Sequence, residues 1–302
     1  MTIQSAAVQD QPVIDPGFKD PALFKIRDLI YRVSGIFQAE NKFYLLADRS
    51  RRRMKVLACS SFSEYLGHLT SHSNRETEIR SLLNEITIGE TYFFRSQPQI
   101  DAIAKIILPK LTAQKAKQTL KKIRIWSAGC STGEEPYTYS ILFSELFAAK
   151  YADWTFDIFA TDLNDNSLTK CREGLYGDYS VRNLGEQQRD KYFTREGSLY
   201  RVKESVRAKV TFDRLNLQDH SRILFMAGFD IVLCCNVLIY FDAVSKRKTV
   251  EHFFNGLTPG GYFFLGNSES LFGIYDQFHL IHFPNATGYC KPLPGEPSGG
   301  PR

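Results

Sequence analysis

The sequence lacks long apolar runs. Its longest, such as Ile231–Cys235, are a fraction of the roughly 20 residues a membrane-spanning helix needs, so no membrane insertion is expected. The opening MTIQSAAVQDQPVIDP has neither a basic start nor an apolar centre, and a secretory signal is not expected. Six cysteines (Cys59, Cys130, Cys171, Cys234, Cys235 and Cys290) form no C-x-x-C pair, which argues against a zinc site or a disulfide framework and for reduced thiols in a cytoplasmic protein. No charge sign dominates: 38 basic residues stand against 33 acidic ones, net +5 over 302 residues. With 43% hydrophobic and 24% charged residues, the composition excludes fibres and wholesale disorder and leaves a soluble globular protein.

The excess charge is concentrated. Residues 41–80 hold eight basic side chains and four acidic ones, which accounts for +4 of the net +5. The same third of the chain reads as helical. Asp20 and Pro21 punctuate a helix carrying Ile26, Leu29, Ile30 and Val33 and closed by Gly35. Ser61 and Glu64 form a capping-box pair, Arg75–Thr87 repeats the helical spacing, and Ser96 to Ile107 begins another helix. From residue 123 the pattern changes to strands at Ile123–Ser127, Trp154–Thr161, Phe229–Cys235 and Gly261–Leu265, with helices at Pro136–Ala149 and Asp242–Leu257. Alternation of that kind predicts an α/β domain with a parallel, covered sheet. Tyr192–Phe212 alternates every second residue and predicts a small antiparallel β-subdomain outside that sheet. The expected organisation is a flexible segment 1–16, a helical N-terminal domain 17–90, a linker and helix 91–122, an α/β domain 123–291 with its β-subdomain at about 192–212, and a Pro/Gly-rich disordered tail 292–302.

Chemistry concentrates on the first strand–turn–helix. Ala128, Gly129 and Gly133 make a tight turn ahead of a helix N-terminus, which frees backbone N–H groups for a ligand. The turn is neither a Walker loop nor G-x-G-x-x-G. The second strand ends in Thr161-Asp162, and an acid at that place in a doubly wound sheet bonds ribose hydroxyls. Together they indicate a nucleoside cofactor, and the missing dinucleotide fingerprint tilts the choice toward S-adenosyl-L-methionine (SAM).

Several motifs then occur in order: Gly89-Glu-Thr-Tyr-Phe-Phe-Arg95, Trp126-Ser-Ala-Gly-Cys-Ser-Thr-Gly-Glu-Glu-Pro-Tyr137, Asn216-Leu217, Cys235-Asn-Val-Leu-Ile-Tyr-Phe-Asp242, Pro259-Gly-Gly261 and Asn267-Ser-Glu269. They closely resemble the CheR family of chemoreceptor glutamate O-methyltransferases, over about residues 20–291. The resemblance implies a small all-helical domain before a Rossmann-like SAM-dependent methyltransferase domain with an inserted antiparallel subdomain. It implies SAM as cofactor and S-adenosyl-L-homocysteine (SAH) as product. By the same resemblance Gly89, Thr91, Arg95, Ala128, Gly129, Glu135, Asp162, Asn216, Leu217, Cys235 and Asn236 line the cofactor pocket, with Arg95 and Tyr240 near the methyl-transfer centre. Two positions depart from the family: Asn is frequent where Gly89 stands and Arg where Cys235 stands, which removes side-chain hydrogen bonds from the pocket edge.

Methylating a glutamate needs no general base, because a carboxyl with a pKa of about 4.3 is already ionised at neutral pH. No His, Cys or Lys in these motifs stands out as a base, and the six histidines lie outside them. No metal is required. The basic run Arg49-Ser-Arg-Arg-Arg-Met-Lys55 resembles the family's receptor-facing helix, and Arg49, Arg52 and Arg53 recur at spacings of three and four. Arg49, Arg52, Arg53 and Lys55 are thus the expected contacts to the acidic helical region of a chemoreceptor cytoplasmic domain, with no nucleic-acid partner. Tyr192–Arg201 is short and holds one glycine, Gly197, so it resembles the family version that lacks a loop for a receptor's tethering pentapeptide. Two other readings stay open: a cofactor-binding regulatory or docking module with little turnover, and a methyltransferase of another acidic protein.

Overall fold

A computed structural model describes residues 20–71, 73–87, 89–297 and 299. The expected flexible segment 1–16 and positions 298 and 300–302 of the tail lie outside the described residues.

The described residues open with four α-helices, α1 (Pro21–Ser34), α2 (Phe43–Leu57), α3 (Phe62–Thr70) and α4 (Arg75–Ile86). Their ends follow from local chemistry. The Asp20 carboxylate accepts from the Ala22 N–H, and Gly35 closes α1 at φ 71°. The Ser61 hydroxyl accepts from the Glu64 N–H at 3.2 Å, while the Glu64 carboxylate reaches the Ser60 N–H at 2.7 Å. The helix expected from Ser96 onward is interrupted: α5 (Gln97–Ala102) passes through a π turn, Ile103–Ile107, into α6 (Leu108–Lys115). Pro109 has no N–H to continue the ladder, and the wider turn just before it absorbs that defect.

The α/β domain follows as β1 (Lys122–Ala128), α7 (Glu134–Lys150), β2 (Thr155–Asp162) and α8 (Asp165–Glu173). An insertion comprises β3 (Leu175–Tyr176), α9 (Asp178–Val181), α10 (Glu186–Tyr192), β4 (Phe193–Glu196), β5 (Leu199–Val202) and α11 (Glu204–Arg207). The chain re-enters the main sheet with β6 (Val210–Arg214), then continues through α12 (His220–Ile223), β7 (Phe229–Cys234), α13 (Ala243–Gly256), β8 (Leu257–Leu265), β9 (His279–Phe283) and β10 (Ala286–Cys290).

Seven strands make one mixed sheet in the order β6-β2-β1-β7-β8-β10-β9, parallel except where β10 joins β8 and β9. A separate three-stranded antiparallel sheet has the order β3-β5-β4. The sequence expectation for residues 192–212 is therefore corrected in part. β6 pairs parallel to β2, Ile158 opposite Val210, and belongs to the main sheet, while the two-residue β3 completes the small one. Period-two alternation identifies a strand but not the sheet it joins, and two residues carry no period at all.

β7 is buried along its whole length, as a strand covered on both faces must be. Val232 and Cys234 share one core with Trp126, Phe253, Phe263 and the helical domain's Leu23, Ile26, Ile30 and Leu46. Ile231 and Leu233 face a second core with Ile123, Phe143, Phe264 and the isoleucines of α5 and the π turn. The helical domain is thus one of the two layers that cover the sheet. It is tied there by the Asn216 amide on the Val33 carbonyl (2.6 Å), Tyr31 on Asp242 (2.9 Å), and Asn164 on the carbonyls of Asn84 and Thr87.

Candidate cofactor and acceptor site

Strand order reverses between β1 and β7, so the loops at their carboxyl ends part and leave a crevice. A cavity of about 590 Å³ opens there. Gly89, Thr91, Arg95, Gly129, Glu135, Asp162, Asn216, Leu217, Cys235, Asn236 and Tyr240 all line it. Ala128 does not: it is 1% exposed, packed in the core one residue before the turn. The basic helix α2 contributes no lining residue.

The floor is the β1–α7 turn. Gly129 has φ 78°, and a Cβ on it would meet Val237 at 2.4 Å, so only glycine lets the two loops close together. Asp162 at the end of β2 braces this turn: its carboxylate accepts from the Ser131 N–H and the Asn164 N–H, both at 2.8 Å. Burial pushes its pKa up to about 6 against the backbone N–H groups of Asn164, Ser131 and Leu163, which favour the charged form. Glu135, at the start of α7, accepts from the Ser127 hydroxyl at 2.7 Å; burial raises its pKa, which Arg95 partly offsets.

The β7 end supplies the opposite wall. Asn236 takes the left-handed conformation (φ 61°), and Glu269 holds the turn by accepting from the N–H groups of Asn236 (2.6 Å), Ile239 (3.2 Å) and Gly266 (2.8 Å). Tyr240 follows, 41% exposed at the mouth, with its pKa raised by burial. Cys235 approaches the Gln99 side-chain amide oxygen (Oε1) at 3.7 Å, and burial beside Glu135 drives its thiol pKa well up, so it behaves as a neutral wall atom. The Asn216 side chain is already committed to Val33 and to the Gln218 N–H, and acts as a brace between domains.

Arg95 owes its place to its two predecessors. Phe93 is wholly buried in the insertion's core, with its N–H on the Ser180 carbonyl. Phe94 adopts φ 54°, unusual for a bulky residue, and its N–H donates to Thr138 at 3.0 Å. That reversal returns Arg95 to the rim, where it is exposed and donates to the Glu90 carbonyl at 2.7 Å.

Two buried hydroxyls in the cavity wall, those of Ser96 and Ser131, have no hydrogen-bond partner. Orphaned groups of that kind fit a polar ligand. Ser131 also accounts for Gly89, because a Cβ there would sit 2.0 Å from its hydroxyl. The sequence alone gives no site role to Ser131, Gln99, Asn164 or Glu269. Glu269 lies within one of the motifs, but its role depends on a loop 33 residues away that no local pattern reveals.

The basic helix departs from expectation. Arg53 makes a two-pronged bond to Glu78 on α4 at 2.8 and 3.0 Å, and both side chains are largely buried. Arg49 is also mostly covered, whereas Arg52 is 55% exposed between Asp48 and Glu85, and Lys55 is exposed. The three-and-four spacing does place arginines on one face, but from that face Arg53 and Arg52 reach carboxylates of α4. Arg53 is corrected from a substrate contact to a structural ion pair.

Among the described residues no helix is long and apolar enough to cross a membrane, and the six cysteines are free.

Residues 21–87 match the all-alpha domain of the CheR methyltransferases, and residues 89–287 match their SAM-binding domain. Chemotaxis protein methyltransferase 2 of Vibrio cholerae is 34% identical over 278 residues, 92% of this chain and 95% of its own length. The chemotaxis protein methyltransferase of Borreliella burgdorferi is 33% identical over 83% of this chain and 88% of its own, and that of Escherichia coli K12 is 32% identical over 85% and 86%. Both of its domains and most of its length thus place this chain in the CheR methyltransferase family, as a SAM-dependent methyltransferase of chemotaxis.

Proposed function

We propose that this protein methylates glutamate side chains of chemoreceptor cytoplasmic domains, forming γ-methyl esters. The observation that carries this reading is the composition of the cavity: Arg95 and Tyr240 stand at its mouth, and no histidine or lysine lies among its described lining residues. Such a site suits a nucleophile that is ionised without help, and a glutamate carboxylate is one. When bound, SAM supplies a sulfonium methyl that the carboxylate oxygen takes as the carbon–sulfur bond breaks, and no proton moves.

The chain's work is then placement and exclusion of water. Asp162 would accept from ribose hydroxyls, Glu135 would face the cationic amino end of the methionine moiety, and the glycine turn would admit backbone close to the ligand. Ser131 and Ser96 offer the two unused hydroxyls. Arg95 would orient an anion at the rim, and Tyr240 would border the methyl group. Residues 17–90 serve as the recognition unit and 123–291 as the catalytic one, in the cytoplasm. Arg52 and Lys55 are the exposed cations of α2 suited to an acidic receptor helix, where rim charges raise the encounter rate. The β4–β5 hairpin turns through Gly197 and Ser198 alone, which supports a receptor interaction without a tethering pentapeptide.

Transfer of tritiated methyl from SAM to a receptor cytoplasmic fragment tests the proposal. The label should be released by mild base, as an ester requires. Intact SAH binding with no base-labile label would instead favour a cofactor-binding docking module.

A further inference from the structure

A second arginine stands just outside the cavity. The Arg182 guanidinium carbon lies 3.4 Å from the ring centre of Tyr92 and 3.7 Å from that of Tyr179, so it is held between two aromatic rings. The two rings meet edge to face at 6.3 Å. Tyr179 is fixed in turn by its hydroxyl on the Glu90 carboxylate (2.6 Å), and Arg182 donates to the Tyr179 carbonyl. Arg182 is nonetheless exposed, and among the described residues no carboxylate pairs with it.

The arrangement is unusual for a surface arginine. Ring contact engages a guanidinium without using up its N–H groups, of which Arg182 spends part on Tyr179 and keeps the rest for a ligand, while the rings remove the rotamer freedom that normally makes exposed ion pairs weak. The location gives it meaning. Tyr92 and Glu90 line the cavity, and Arg95 lies over the same Tyr92 ring, 5.7 Å from its centre. One tyrosine therefore carries two guanidiniums, one at the mouth and one just outside it. The anchors come from different parts of the chain, the 89–95 segment and α9 of the insertion, and they meet through the Phe93 N–H on the Ser180 carbonyl. Glu134, 2% exposed, adds a further tie to the Ser180 hydroxyl at 2.9 Å.

We propose that Arg182, held by Tyr92 and Tyr179, is a specificity-determining residue that binds a second carboxylate of the acceptor protein, next to the one being methylated. This rests on the acidic helical substrate proposed above. On a helix, residues three or four apart lie about 5–6 Å from one another on the same face. An acceptor carboxylate at the mouth would thus bring a neighbouring one to the outer guanidinium. A pre-formed arginine fork recognises a carboxylate with two parallel hydrogen bonds, which a lysine cannot reproduce.

Steady-state methylation of a receptor cytoplasmic fragment, with SAH binding measured separately by calorimetry, tests the assignment. Arg182→Ala should raise KM for the protein substrate about tenfold, the size of one charge-assisted pair, and leave kcat within about twofold. Its SAH affinity should match the parent's, because Arg182 does not line the cavity. Arg182→Lys should fall between the two, and Arg182→Glu should be worse than alanine. Changing the acceptor's neighbouring glutamates to glutamine one at a time should identify one position at which parent and Arg182→Ala no longer differ. An unchanged KM in an Arg182→Ala protein that still binds SAH normally would overturn the inference, as would an equal loss of SAH affinity, which would make the residue part of the cofactor site. If the parent protein itself yields no base-labile label, the glutamate-methylation reading fails first and takes this inference with it.

Discussion

At the scale of single residues, Asp162 is the most sensitive point in the site. Burial pushes its pKa up to about 6, so in the free native protein it holds its proton more tightly than an unfolded aspartate of about 3.9 would. The stabilisation from that proton is complete below the unfolded value and is lost as pH rises through about 6. At neutral pH the carboxylate is consequently ionised in a buried place that favours its neutral form, held by backbone N–H groups that include those of Ser131 and Asn164. A ligand hydroxyl would relieve it and would favour the ionised form. SAH affinity should therefore fall as pH drops below about 6, approaching tenfold per unit for one obligatory ionisation. Glu135, also raised by burial, bends in the same direction. Asp162→Asn should weaken SAH binding about tenfold at pH 8 and make the pH dependence shallower. Calorimetry between pH 5 and 8 decides the matter, and an affinity independent of pH in the parent protein would exclude Asp162 as the hydroxyl acceptor.

At the scale of elements, helix α2 shows where periodicity informs and where it stops. The spacing of Arg49, Arg52 and Arg53 fixes a common face, but a charged face can turn to solvent or to an ion-pairing neighbour with the same spacing. What decides is Glu78, 6% exposed on α4, which accepts from Arg53 and from the Tyr65 hydroxyl at 2.8 Å. In the sequence Glu78 is one acid in the polar stretch Arg75–Arg80 and gives no sign of being buried. The capping signals of α1 and α3 were legible because each depends on residues within four positions of one another. The Glu269 clamp and the second partner of β5 were not, because they depend on distant segments. Breaking the buried pair leaves Glu78 charged among apolar neighbours, so Arg53→Ala should cost about 3 kcal/mol in urea unfolding. Arg52→Ala, at an exposed pair, should stay within about 0.5 kcal/mol yet slow receptor methylation at low salt. Equal stability losses in the two variants would contradict the division of roles.

At the scale of the whole molecule, the helical domain and the methyltransferase sheet share one core. The division into a helical and an α/β part was readable from the change in periodicity at residue 123, and the glycine turn and the acid that line the cavity were readable from their place after the first two strands. Their dependence on each other was not, since it rests on apolar faces that each half presents separately. Trp126, 0% exposed, lies in the core that also contains Leu23, Ile26, Leu46 and Tyr65 of the helices. Asn216, which lines the cavity, holds α1 through Val33, and Asn164 holds the end of α4 beside Asp162. A ligand in the cavity therefore bears on both halves. Thermal unfolding should be a single transition, with tryptophan fluorescence, from the buried Trp126 and from Trp154, and the loss of helix by far-ultraviolet circular dichroism coinciding. SAH at one hundred times its Kd should stabilise the native state by about 2.7 kcal/mol and raise both signals together by several degrees. A helix signal that melts first and ignores SAH would mean that the N-terminal helices are an independent unit. In that case receptor docking and cofactor binding would be uncoupled, whereas the shared core requires each to report on the other.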